Sequence, residues 1–127
     1  MGSVTAELLV SDQPFSFWGG YDYLTGEIID RRHALSGQIA AGKVLAIPYT
    51  IGSSTTAQVL LEAIRAGTAP AAIVTRRLDT YLVLAALVAQ ELYGRTIPVV
   101  TVSESEFAEL RTGSEFTAST GGSPAHP

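Results

Sequence analysis

The chain has 127 residues, 46% of them apolar and 16% charged, with a net charge of −4, so it reads as one folded domain and not as a disordered or collagen-like chain. It contains no cysteine, which excludes disulfides, zinc–thiolate sites, thiol nucleophiles and iron–sulfur ligation by this chain itself. No basic run is present to neutralise phosphates, so nucleic acid is not an expected partner, and the longest apolar run, residues 82–89, is far below the roughly 20 residues of a membrane span.

Residues 1–10 lack the basic start and continuous apolar core of a secretory signal, and the expected location is cytoplasmic. In the first third, strand-like stretches at 4–10 and 27–29 are separated by the turn formers Gly19-Gly20, Asp22 and Thr25-Gly26. From Gly42 the pattern changes to an apolar strand at 44–47, a helix, a strand at 71–74, a second helix and a strand at 97–102. Alternation at this spacing implies parallel pairing through right-handed crossovers. The first helix carries an apolar stripe at Ala57, Leu60, Leu61 and Ile64 and stops at Gly67. The second starts at Asp79 as N-cap and runs to Gly94, and its nearly all-round apolar character predicts burial on more than one side. A short third helix follows Ser103, with Glu106 completing a capping box, and ends near Arg111. Residues 112–127, rich in Gly, Ser, Thr and Pro, read as a disordered tail behind a single domain spanning 1–111.

Two segments carry chemistry. Pro48-Tyr49-Thr50-Ile51-Gly52-Ser53-Ser54-Thr55-Thr56 joins a buried strand to a helix N-terminus, where α/β sheets bind ligands and where free N–H groups favour anions. Gly52 permits close backbone approach and the hydroxyls supply donors; alternatively, Ser53 or Ser54 only caps the helix. The spacing is not that of a phosphate-binding Walker loop, since no lysine follows. The second segment, Ser16-Phe17-Trp18-Gly19-Gly20-Tyr21-Asp22, is either a contact surface, with Phe17 and Trp18 touching a partner, or a hairpin whose aromatics close the core. The run Asp30-Arg31-Arg32-His33 fits a solvated or paired strand end better than a catalytic site, and a lone histidine is no metal site.

Ser11-Asp12-Gln13-Pro14-Phe15-Ser16-Phe17-Trp18-Gly19-Gly20, Asp30-Arg31-Arg32-His33, Gly52-Ser53-Ser54, Gly67-Thr68-Ala69-Pro70-Ala71-Ala72-Ile73 and Leu92-Tyr93-Gly94-Arg95-Thr96-Ile97-Pro98-Val99 together resemble the small subunit, or swivel domain, of aconitase X. The match runs from Val4 to about Leu110. The resemblance implies a swivelling β/β/α domain, with a mixed β part followed by parallel strands and crossover helices, that closes over a large catalytic subunit. It implies that Ser53 is the base that removes the proton α to a substrate carboxylate, with Gly52, Ser54 and Thr55 as substrate-binding residues. An iron or iron–sulfur centre is expected in the large subunit, with no cofactor or metal bound by this chain alone. Aconitase has an arginine two residues after its serine; Thr55 stands there in this chain, which disfavours a tricarboxylic substrate. The expected reaction is dehydration of cis-3-hydroxy-L-proline to Δ1-pyrroline-2-carboxylate, the alternative being dehydration of mevalonate 5-phosphate. A non-catalytic anion-binding or regulatory module is the reading from another class.

Overall fold

Val44, Leu45 and Ala46 are all buried, and so are Ala72, Ile73, Val74 and Thr75; strands covered on both faces carry such continuous runs instead of alternating with polar residues. They occupy the middle of a five-stranded sheet in this computed structural model, which describes residues 3–52 and 54–119. In chain order the elements are β1 (Ser3–Val10), β2 (Tyr21–Asp22), β3 (Glu27–Ile28), β4 (Val44–Ala46), α1 (Ser54–Ala66), β5 (Ala72–Thr75), α2 (Thr80–Tyr93), β6 (Val99–Thr101), α3 (Glu104–Ala108) and β7 (Glu115–Ser119). The sheet order is β6-β5-β4-β1-β7; β1, β4, β5 and β6 run parallel, β7 is antiparallel to β1, and β2 pairs with β3 in a separate hairpin. This is the expected mixed α/β architecture.

Side-chain alternation divides the interior in two. Leu9, Leu45, Ile47 and Ile73 face Leu60, Ala63 and Ile64 of α1, Leu82, Ala85 and Ala89 of α2, and Phe15, Phe17, Tyr21 and Ile28 from the first third. On the other face Leu8, Val44, Ala46, Ala72, Val74 and Val100 pack with Phe107 of α3 and Ala118 of β7. Both long-helix stops use glycine at positive φ, Gly67 at +82° and Gly94 at +70°, and Gly94 donates its N–H to Gln90 O. The capping box at α3 forms as the spacing requires, with Ser103 Oγ accepting from Glu106 N–H and the Glu106 carboxylate accepting from Ser103 N–H.

Two expectations change. The tail expected from residue 112 contains a strand, Glu115–Ser119, whose register on β1 runs from Ser3↔Ser119 to Glu7↔Glu115. Backbone pairing holds it, helped by the Thr5–Thr117 hydroxyl contact at 2.8 Å and by Val10 N–H donating to Thr112 Oγ1, and Phe116 and Ala118 pack on the second core. Residues 120–127 of the expected tail, like Met1, Gly2 and Ser53, lie outside the described residues. The second correction concerns α2, expected to be buried on several sides. Only its Leu82–Ala85–Ala89 stripe is buried, while Leu84 and Leu87 are 50% and 62% exposed. A helix lying beside α1 on one face of a sheet has a single inward stripe, and no other described element covers its outer side.

Candidate active site

The carboxyl ends of β1, β4 and β5 lie side by side in register, Val10 beside Ala46 and Ala46 beside Val74. The loops leaving them form one edge. The loop after β4 is tied to its neighbours through backbone bonds: Phe15 N–H donates to Tyr49 O at 3.2 Å, Ile51 N–H to Phe15 O at 2.9 Å, and Arg76 N–H to Pro48 O at 3.0 Å. The buried carboxylate of Asp79 adds a side-chain tie. One oxygen accepts from Leu82 N–H at 3.2 Å and caps α2, while the other accepts from Thr50 N–H at 3.1 Å and from the Thr50 hydroxyl. Asp79 is therefore both the predicted N-cap and a clamp on the loop that leads into Gly52. Asp79→Ala is expected to cost about 1–3 kcal/mol of stability, the sum of a lost cap and an orphaned loop. Urea denaturation measures that loss, and faster hydrogen exchange at the Thr50 amide reports the loosened loop.

Gly52 has φ +113°, and a Cβ there would stand 3.3 Å from Thr56 Oγ1 and 3.4 Å from Thr55 Oγ1. The position thus needs glycine on backbone grounds. Ser54 is exposed, Thr55 half-buried, and Thr56 buried with its hydroxyl turned to Ile51 O. Gly52, Ser54 and Thr55 accordingly lie at the start of α1, with Ser54 its first residue. Ser53, the candidate base, falls outside the described residues.

The aromatic segment splits. Phe17 is fully buried, its ring 5.0 Å from that of Phe15 and 5.2 Å from that of Tyr21, so its expected partner contact is corrected: it closes the core. Trp18 is 65% exposed. Burial raises the Tyr21 hydroxyl above its usual range, and that group donates to Thr68 O at 2.7 Å. His33 is buried edge-on to Phe15; its Nδ1 accepts from Leu35 N–H at 3.1 Å, which puts the proton of the neutral ring on Nε2, 3.4 Å from Gln13 O. It is a loop-holding histidine.

Tyr49 stands within the hydroxyl-rich segment read from the sequence, whereas Arg77 lies outside it. The Arg77 guanidinium sits 3.9 Å from the centroid of the Tyr49 ring, at the site edge. The signal was present as two arginines directly after an apolar strand and just before a helix cap. Among the described residues no three His, Asp or Glu side chains come together to hold a metal ion, and no helix is long and apolar enough to cross a membrane.

A family model described as aconitase X swivel domain matches residues 1–122. The chain belongs to that family. The swivel domain is 50% identical over 109 residues to the cis-3-hydroxy-L-proline dehydratase of Pseudomonas aeruginosa, covering 86% of this chain and 19% of that protein. It thus spans about a fifth of that relative's length. A phosphomevalonate dehydratase small subunit of Thermococcus gammatolerans is 38% identical over 112 residues, covering 88% of this swivel domain and 79% of the relative. The crystal structure of Thermococcus kodakaraensis aconitase X in its holo-form superposes with a TM-score of 0.79 at 30% identity, covering 91% of this chain and 82% of that one.

Proposed function

We propose that this swivel domain is the small-subunit part of a cis-3-hydroxy-L-proline dehydratase and works only when closed on a large catalytic subunit. The observation that carries this reading is the 50% identity over 109 residues to a dehydratase of that name. An iron or iron–sulfur centre of the aconitase kind would be held by the large subunit; this chain has no cysteine to ligate an iron–sulfur cluster.

This chain's share of the reaction is the proton. Ser53, between Gly52 and the first residue of α1 in sequence, takes the hydrogen from C2 of the substrate. The C2–H electrons become the C2–C3 double bond as the C3–O bond breaks; the departing hydroxide takes up one proton, and Ser53 gives up the one it gained, so the net loss is water. The cyclic enamine then tautomerises to Δ1-pyrroline-2-carboxylate, a proton moving from nitrogen to C3. A serine hydroxyl is a poor base until its alkoxide is stabilised. Three things favour that form: the N–H groups of the first turn of α1, the positive end of its dipole, and exclusion of water on closure. Gly52, Ser54 and Thr55 line the substrate's approach. Exposed apolar side chains at Trp18, Leu84 and Leu87 are common at protein contacts, and Trp18 is the residue we assign to contact with the large subunit.

A second reading, the small subunit of a phosphomevalonate dehydratase, is favoured by the 79% coverage of the Thermococcus relative. Assaying the chain together with its large subunit on cis-3-hydroxy-L-proline and on mevalonate 5-phosphate separates the two. The expected result is turnover of the first with the second left unchanged; the reverse selects the second reading.

A further inference from the structure

Position 55 supplies no cation for a substrate carboxylate, and the neighbouring strand offers one. β5 ends at Thr75, and Arg76 and Arg77 follow at the sheet edge that carries Gly52. The two arginines diverge, as consecutive residues leaving a strand do. Arg76 is half-buried on the α3 side, its guanidinium 5.5 Å from the Phe107 ring centroid. Arg77 is exposed and stacks on Tyr49, which lies three residues before Gly52 in the loop that Asp79 clamps. Its backbone is held as well, Thr75 Oγ1 donating to Arg77 O at 2.7 Å. Among the described residues the ion pairs are Lys43 with Glu7 and Arg65 with Glu62, so no carboxylate of these residues occupies Arg77. Stacking on a ring fixes the plane of a guanidinium while leaving its N–H fork free, which suits bidentate capture of a carboxylate.

The geometry points to Arg77 as the residue of this chain that binds the substrate's carboxylate, delivered to the edge beside Gly52. The inference rests on the dehydratase reading above and adds to it the group that anchors a monocarboxylic cyclic amino acid. A planar fork on an aromatic face explains why arginine suits this place better than lysine, whose ammonium neither stacks flat nor binds in bidentate fashion.

The test uses the enzyme assembled from this chain and its large subunit. Arg77→Ala is expected to raise KM for cis-3-hydroxy-L-proline about 10- to 100-fold, the worth of a charge-assisted pair, while kcat changes less than about 3-fold. Arg77→Lys is expected to fall between the two, since it keeps the charge and loses the fork. Competition by L-proline should weaken in parallel in Arg77→Ala, whereas competition by pyrrolidine, which has no carboxylate, should not change; a merely structural role would move both or neither. Wild-type turnover with an unaltered KM and unaltered L-proline competition in Arg77→Ala overturns this inference alone. A wild-type assembly that leaves cis-3-hydroxy-L-proline untouched overturns the proposed function and this inference with it.

Discussion

Ser53→Ala is expected to lower kcat for cis-3-hydroxy-L-proline dehydration by the assembled enzyme about 100- to 10,000-fold, the range spanned by loss of one positioned proton-transfer group. KM should shift little, because a base acts on the transition state more than on the bound substrate. Association with the large subunit should be unaffected, and gel filtration of the mixed subunits checks that. The measurement also separates the two meanings of the hydroxyl-rich loop. If position 53 merely capped α1, the alanine variant would lose about 1 kcal/mol of stability and keep its turnover. Loss of turnover with intact assembly is the signature of the base. Since Gly52 adopts a φ of +113° next door, Ser53→Ala is also the least intrusive change in the loop: it leaves the glycine, Ser54 and Thr55 in place.

The second large effect concerns the adjacent aromatics. Phe17→Ala is expected to destabilise the chain by about 3–5 kcal/mol, the cost of emptying a fully buried aromatic site. Phe17 has no exposed surface and touches both Phe15 and Tyr21. A domain of this size has roughly 5–15 kcal/mol of stability in all, so the variant should melt at least about 10 °C lower. Trp18→Ala, one residue along, should stay within about 0.5 kcal/mol of the parent, since 65% of Trp18 faces solvent. Its expected effect is weaker association with the large subunit. Thermal denaturation of the two variants alone, then titration against the large subunit, resolves two neighbouring aromatics into a core residue and a contact residue. Equal melting temperatures for the two variants would contradict the burial on which this assignment rests.

How much was legible in advance follows from where the determinants lie. The helices were clear because their stop and start signals are local: Asp79 and Gly94 bracket α2, and Ser103 with Glu106 builds the box on α3. The parallel strands were clear because burial on both faces leaves unbroken apolar runs such as Val44-Leu45-Ala46. β7 was hidden because its partner is more than a hundred positions away in sequence, and a strand held by backbone pairing to β1 needs little hydrophobicity of its own. The fate of Phe17 against Trp18 was hidden for a related reason. Two consecutive aromatics in an irregular loop carry no periodicity, and only the turn bonds from Gly20 N–H and Tyr21 N–H to Phe17 O decide which ring points inward. At the site, Gly52 and its hydroxyl neighbours stood out by composition. Arg77 did not, because its relation to Tyr49 arises from β4 and β5 being adjacent in the sheet. Leu84 and Leu87 of α2 are exposed because the helix has a single inward stripe, which an all-round apolar sequence does not reveal.

We propose that this chain completes an active site that a large subunit holds only in part. It is tested most directly by the rate at which purified large subunit dehydrates cis-3-hydroxy-L-proline, measured with and without an equimolar amount of this chain. The account predicts no detectable product from the large subunit alone, and activity that rises with added chain until the two are equal in concentration. An unchanged rate on addition of the chain, or full activity of the large subunit alone, would contradict it.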